Sequence, residues 1–167
     1  MKNQDSILIF GSSGQIGKSL IRKFTKNNYK VIAVTRSIHQ KGYQIKTQSN
    51  YGYLELEEIN SFDEENISRL MENSSICINL IGILYEGNKG NTFKNIHSLF
   101  PSILAKFCKE YKVKQFIHLS ALGINSAVDS NYAKSKLKGE ENIQKFLKAM
   151  IFEMLYSHLY EEIKYQL

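Results

Sequence analysis

The sequence is poor in the residues that punctuate or staple a chain. Its 167 residues include one proline, Pro101, and two cysteines, Cys77 and Cys108. Two thiols cannot build a disulfide framework, and these lack metal-site spacing, so a reducing cytoplasm fits. Long apolar runs are also missing. The longest, Ile76 to Tyr85, is broken by Asn79 and Gly82 and falls far short of the roughly 20 residues of a membrane span. The apolar stretch that follows Met1–Ser6 is too short for a signal-peptide core. Metal-ligand spacing is absent among His39, His97, His118 and His158, and no metal site is expected. No nucleophile elbow is visible either.

Acids are missing from a whole third of the chain. Between Ser6 and Leu54 there is no Asp or Glu, whereas Lys18, Arg22, Lys23, Lys26, Lys30, Arg36, Lys41 and Lys46 all fall there. The acids cluster afterwards, at Glu55, Glu57, Glu58, Asp63, Glu64, Glu65 and Glu72. The net charge of +6 is therefore a local positive field, suited to an anionic ligand. A plain lysine-rich solvated surface accounts equally well for most of these residues taken singly. Nucleic acid is not expected, because no basic run is interleaved with aromatics and no recognised module occurs.

What is present is enough for one globular domain: 43% hydrophobic and 23% charged residues, in a chain close to the usual size of about 100–150 residues. Ile7-Leu8-Ile9-Phe10 reads as a strand buried on both faces. Ile16, Leu20, Ile21 and Phe24 then recur at helical spacing. Tyr29–Thr35 reads as a second strand. Arg36–Asn50 is polar and irregular, with a turn at Gly42. Tyr51–Leu56 reads as a third strand, and Asp63–Met71 as a short acidic helix. Ser75–Ile83 reads as a fourth strand. Phe93, Ile96, Phe100, Ile103, Leu104 and Phe107 mark a long helix that Pro101 either kinks or makes start late. Lys114–Ser120 reads as a fifth strand and Tyr132 to about Leu147 as a last helix. Such alternation predicts an α/β, Rossmann-type, doubly wound parallel sheet in three layers, ending after about a sixth strand. Residues 1–148 are expected to form that domain and 149–167 a divergent or truncated tail. Ala149–Phe152 fits a sixth strand, while Ile151, Leu155, Leu159 and Ile163 equally fit an amphipathic helix.

Between the first strand and first helix lies Gly11-Ser12-Ser13-Gly14-Gln15-Ile16-Gly17, where a dinucleotide loop belongs. Gly11 permits the tight turn, Gly14 lets backbone approach a pyrophosphate, and Gly17 permits close helix packing. The helix N-terminus adds free N–H donors for an anion. At the end of the second strand an NAD site wants a carboxylate. This chain has Thr35-Arg36-Ser37 instead, and a guanidinium suits a 2′-phosphate, so NADP(H) is favoured over NAD(H). The other reading of Arg36 is stacking on adenine or facing solvent.

The glycine loop, Asn79-Leu80-Ile81-Gly82, Ser120 and Tyr132-Ala133-Lys134-Ser135-Lys136 together resemble the extended and atypical short-chain dehydrogenase/reductase superfamily, in its NAD-dependent epimerase/dehydratase branch. Three further stretches resemble bacterial relatives of the accessory Rossmann subunit of respiratory complex I: residues 78–86 with Thr92-Phe93 and Ile96-His97, residues 116–123, and residues 132–140. The resemblance implies Ser120, Tyr132 and Lys136 as catalytic residues. It implies cofactor contacts from Gly11, Ser13, Gly14, Gln15, Ile16, Gly17, Arg36, Leu80, Ile81, Gly82, Tyr132 and Lys136. Tyr132 and Lys136, four apart, share a helix face, and a neighbouring ammonium is expected to lower the phenol's pKa. A Tyr-x-x-x-Lys spacing also arises on any lysine-rich solvated helix.

Extended members continue into a C-terminal substrate domain that nothing after residue 148 resembles. Two functional classes follow. One is a non-catalytic NADP(H)-binding subunit or assembly factor, cytoplasmic or held at the inner membrane through complex I partners. The other is an active oxidoreductase or sugar-nucleotide epimerase/dehydratase using Tyr132 and Lys136. A scaffold without nucleotide is a third. A shortened chain is expected to self-associate through its exposed C-terminal edge.

Overall fold

The computed structural model describes residues 6–59, 64–87, 90–127, 129–148 and 150–154. Six strands form one parallel sheet in the order β3-β2-β1-β4-β5-β6. They are β1 (Ser6–Phe10), β2 (Lys30–Thr35), β3 (Leu54–Glu58), β4 (Ile76–Asn79), β5 (Gln115–Ala121) and β6 (Met150–Met154). The helices are α1 (Gln15–Lys26), α2 (Ile38–Lys46), α3 (Glu64–Glu72), α4 (Phe100–Glu110) and α5 (Asn131–Gln144), with a π-helical segment, Lys94–Leu99, leading into α4. The expected α/β Rossmann architecture is present. Of the two readings for the start of the tail, β6 takes the strand. Ala149 and residues 155–167 lie outside the described residues.

The continuous apolar runs of β1 and β2 follow from burial on both faces. Leu8, Phe10, Ile32, Val34, Cys77 and Phe116 point to one layer, where Ile67, Leu70 and Met71 of α3, Leu104 and Ala105 of α4, and Ile143 of α5 cover them. Ile7, Ile9, Val31, Ala33 and Ile78 point to the other, under Leu20 and Ile21 of α1 and Ile45 of α2. Each Val, Leu, Ile, Phe or Met side chain among these contributes about 1.5–3 kcal/mol on burial. Strand order reverses between β1 and β4, and the carboxyl ends of those strands frame the crevice where ligands of open α/β sheets bind.

Several boundaries differ from expectation. Residues 38–46 are helical rather than irregular. Ser37 caps α2 by accepting from the Gln40 N–H at 3.4 Å, and Gly42, no turn, is buried inside the helix. A Cβ there would meet Ile38 Cγ2 at 3.1 Å and Leu56 Cδ1 at 3.5 Å, so glycine lets α2 settle onto β3. The third strand starts later than Tyr51 because Gly52, at φ +83°, closes a turn first. The fourth stops at Asn79, whose Oδ1 accepts from the Ile81 N–H at 3.1 Å and turns the chain off the sheet. Asp63, expected to open α3, lies outside the described residues.

Pro101 sits in the first turn of α4, and the break precedes it. Proline has no N–H to give the His97 carbonyl four residues back. Phe100 N–H bonds the carbonyl five residues back, on Asn95, and the segment widens into a π-helix.

Candidate functional site

The glycine loop has the geometry its spacing implies. Gly11 adopts φ +84°, and a Cβ on it would stand 3.0 Å from the Leu80 carbonyl carbon. A Cβ on Gly17 would lie 2.5 Å from the Gly11 carbonyl oxygen and 2.7 Å from Ser12 Cα, so only glycine lets α1 begin this close to the loop. The buried Ser12 hydroxyl donates to the Val34 carbonyl at 2.6 Å and ties the loop to β2. Gly14 is the N-cap of α1 and supplies no side-chain cap, and the first turn carries no acid. That helix end keeps its N–H donors and positive dipole for an anion.

Gly11, Ser13, Gly14, Arg36 and Leu80 to Gly82 line one cavity of about 220 Å3. A larger cavity of about 840 Å3 adjoins it, lined in part by Ser13, Arg36, Ser37, Gln40, Lys41 and Asn91. Gln15 is exposed and Ile16, in the first turn of α1, packs its side chain on the core; neither lines these cavities. The exposed Arg36 guanidinium donates to Asn91 Oδ1 at 3.4 Å. The acid-free third of the sequence is not acid-free in space. Glu58, paired in register with Thr35, accepts from the Ile38 N–H at 2.6 Å and occupies the N-terminus of α2.

Ser120, Tyr132 and Lys136 are not among the residues lining those cavities; they stand beyond Gly82. A Cβ on Gly82 would be 3.5 Å from Lys136 Nζ and 3.8 Å from His97 Nε2, so its bare backbone faces both. Lys136 is buried, at 4% exposure, and donates to the Leu119 carbonyl at 3.2 Å. Burial pushes its pKa down to about 8, against a smaller upward pull from Glu140. Tyr132 departs from expectation. Burial raises its phenol above the ordinary value, and no lowering by Lys136 offsets it. The Ser120 hydroxyl is buried and makes no hydrogen bond to any described residue. The three side chains share a region without forming a hydrogen-bonded relay.

Sequence reasoning missed the polar residues that brace this region. His97 is 1% exposed and His118 is fully buried. Asn79 Nδ2 donates to His118 Nδ1 at 3.1 Å, while His97 bonds Ile83 and Ser135. Desolvation, helped by the Lys136 charge, holds His97 down to about 4 and His118 down to about 3. The one available signal was polarity on otherwise apolar faces: a histidine next to Ile96, and one inside the fifth strand.

The NmrA-like family model matches residues 3–166 of the chain. The chain belongs to the NmrA-like family. It is also similar to subunit 9 of the NADH dehydrogenase [ubiquinone] 1 alpha subcomplex, mitochondrial, from Mus musculus, with 26% identity over 136 residues, 81% of this chain and 36% of that protein. The mitochondrial NADH-ubiquinone oxidoreductase 40 kDa subunit of Neurospora crassa is 23% identical over the same shares. The chain thus spans about a third of the length of these relatives. Among solved structures, a putative NAD-dependent epimerase/dehydratase from Bacillus halodurans superposes with TM-score 0.73 at 14% identity, over 89% of this chain and 69% of that one. A UDP-glucuronic acid 4-epimerase from Bacillus cereus, in complex with NAD, gives TM-score 0.68 at 22% identity, over 84% and 52%. Family and fold agree with the resemblance read from the motifs. Among the described residues no helix is long and apolar enough to cross a membrane, and no cluster of His, Cys, Asp or Glu could hold a metal ion.

Proposed function

We propose that this NmrA-like chain holds NADP(H) in the crevice between β1 and β4 and serves a structural or assembly role beside the membrane-bound subunits of respiratory complex I, with little turnover of its own. The observation that carries this reading is a glycine loop with an uncapped, acid-free helix start, next to Ser120, Tyr132 and Lys136 side chains that form no hydrogen-bonded relay. Gly11 and Gly17 occupy positions a Cβ would obstruct, the start of α1 is free of side-chain caps and acids, and the cavity beside them is continuous with Arg36. These features suit a pyrophosphate at the helix N-terminus and a phosphorylated ribose near the guanidinium. When bound, the nicotinamide supplies a hydride donor or acceptor. Past Gly82, the raised Tyr132 phenol and the unpartnered Ser120 hydroxyl leave the protein's share of proton transfer unprepared. The relatives in complex I support the partner assignment.

The low Lys136 pKa, one helical turn from Tyr132, favours a second reading: an oxidoreductase or sugar-nucleotide epimerase/dehydratase in which Tyr132 moves the proton and Ser120 holds the substrate oxygen. The test is to recover tagged chain from its native host in mild detergent. Co-migration with complex I and bound nucleotide, without NADPH consumption on a sugar-nucleotide panel, supports the structural role. A free chain that consumes NADPH on that panel overturns it in favour of the enzyme.

A further inference from the structure

The ring of His97 closes a one-way chain of hydrogen bonds across the crevice. Its Nε2 accepts from the Ile83 N–H at 3.1 Å. That N–H can only donate, so the proton of the neutral ring sits on Nδ1, which donates to Ser135 Oγ at 2.8 Å. Ser135 passes its own proton on, to the Tyr132 carbonyl at 2.6 Å. A protonated ring would set a second N–H against that of Ile83, so the network admits only the neutral tautomer. The ring is also gripped on its faces, stacked on Phe93 at 5.3 Å and 18° and met edge-on by Tyr132 at 5.3 Å and 87°.

The backbone puts the ring there. His97 lies in the π-helical turn before Pro101 and is buried there with Ile96 and Ser98. The next residue reinforces the grip, with Ser98 Oγ donating to the Ser135 carbonyl at 3.0 Å. Gly82 lies between the partners, facing Lys136 Nζ and His97 Nε2.

We infer that His97 is a positioning residue for the nicotinamide half of the site, holding the Gly82–Ile83 backbone at a set distance from the Tyr132–Lys136 face of α5. The inference rests on the dinucleotide reading above and extends it to a residue that touches neither the glycine loop nor Arg36. A space-filling ring would not need both nitrogens matched to partners. His97 uses both.

The test separates the two halves of the ligand. Binding of NADPH and of 2′,5′-ADP, which lacks the nicotinamide ribose and ring, is measured on the full chain and on H97F, H97Q and S135A. H97F keeps an aromatic ring and loses both hydrogen bonds; H97Q offers an acceptor and a donor in their place. The expected result is a loss of about tenfold in NADPH affinity for H97F, with 2′,5′-ADP unchanged within about twofold and most of the loss recovered in H97Q. S135A, which leaves the ring in place, is expected to show the same selectivity with a smaller loss, and it carries the test if H97F does not fold. Equal losses for both ligands, or unchanged NADPH affinity in H97F and S135A, would overturn the inference. Wild-type protein that binds neither ligand would instead overturn the dinucleotide reading beneath it.

Discussion

Gly139 of α5 lies flat against the carbonyl of His97. A Cβ on Gly139 would overlap the His97 carbonyl oxygen and stand 3.1 Å from its carbon. Pro101 has no N–H to offer this carbonyl from four residues on, and α5 seats directly against it. Both partners in the clash are backbone, so neither can swing away. Gly139→Ala is expected to cost about 3 kcal/mol and to lower the melting temperature by roughly 6–12 °C in a thermal scan. An unchanged melting temperature would mean the helices do not meet this way.

In the proposed reading, Arg36, which lines the cavity beside the glycine loop, is the side chain that discriminates between nucleotides. Charge-assisted contacts to a 2′-phosphate are among the stronger polar interactions. Arg36→Ala is expected to weaken NADPH by about 10- to 100-fold while changing NADH by no more than about threefold. Equal losses for both nucleotides in paired titrations would assign Arg36 to adenine stacking.

The buried histidines set an acid limit. Folded His97 and His118 have pKa values near 4 and 3, below the ordinary 6.5. From pH 6.5 downward the unfolded chain binds protons that the folded chain refuses, so stability falls with pH in that window, and His97 completes its share near pH 4. Urea unfolding at pH 7, 6 and 5 checks the sign. H97Q, with no titratable ring at that position, should gain on the wild type as pH drops. A gap between the two that does not vary with pH would refute the assignment.

Cys77 and Cys108 are both free and buried, and burial raises the Cys77 thiol well above its ordinary value. A thiol reagent that needs thiolate and access should label neither in the native protein. Labelling of both should track global unfolding in denaturant. Fast native labelling would show that the layer holding Cys77, Cys108 and Met71 opens locally.

The parts of the molecule readable in sequence were those governed by short-range rules. Ile7–Phe10 had to be a buried strand, and Gly11, Gly14 and Gly17 had to sit at its exit, because periodicity and glycine sterics act within a few residues. Helix α2 escaped because its glycine, a turn signal locally, serves packing against Leu56 far along the chain. The fourth strand is shorter than its apolar run predicts because the side chain of Asn79, which hydrophobicity counting ignores, turns the chain away. Glu58 at the start of α2 and His97 between Ile83 and Ser135 depend on tertiary pairing that no local pattern encodes. Pro101 was visible as a break. That the break would take the form of a π-turn with His97 buried in it required the partner helix.

Titration of purified protein with NADPH and with NADH, followed by nucleotide fluorescence and thermal stability, tests most directly whether the proposed cradle binds nucleotide and prefers NADP(H). The account predicts saturable NADPH binding with a rise in melting temperature, and NADH weaker by about tenfold or more. Binding of neither nucleotide would contradict it and leave a Rossmann fold whose glycine loop cradles nothing.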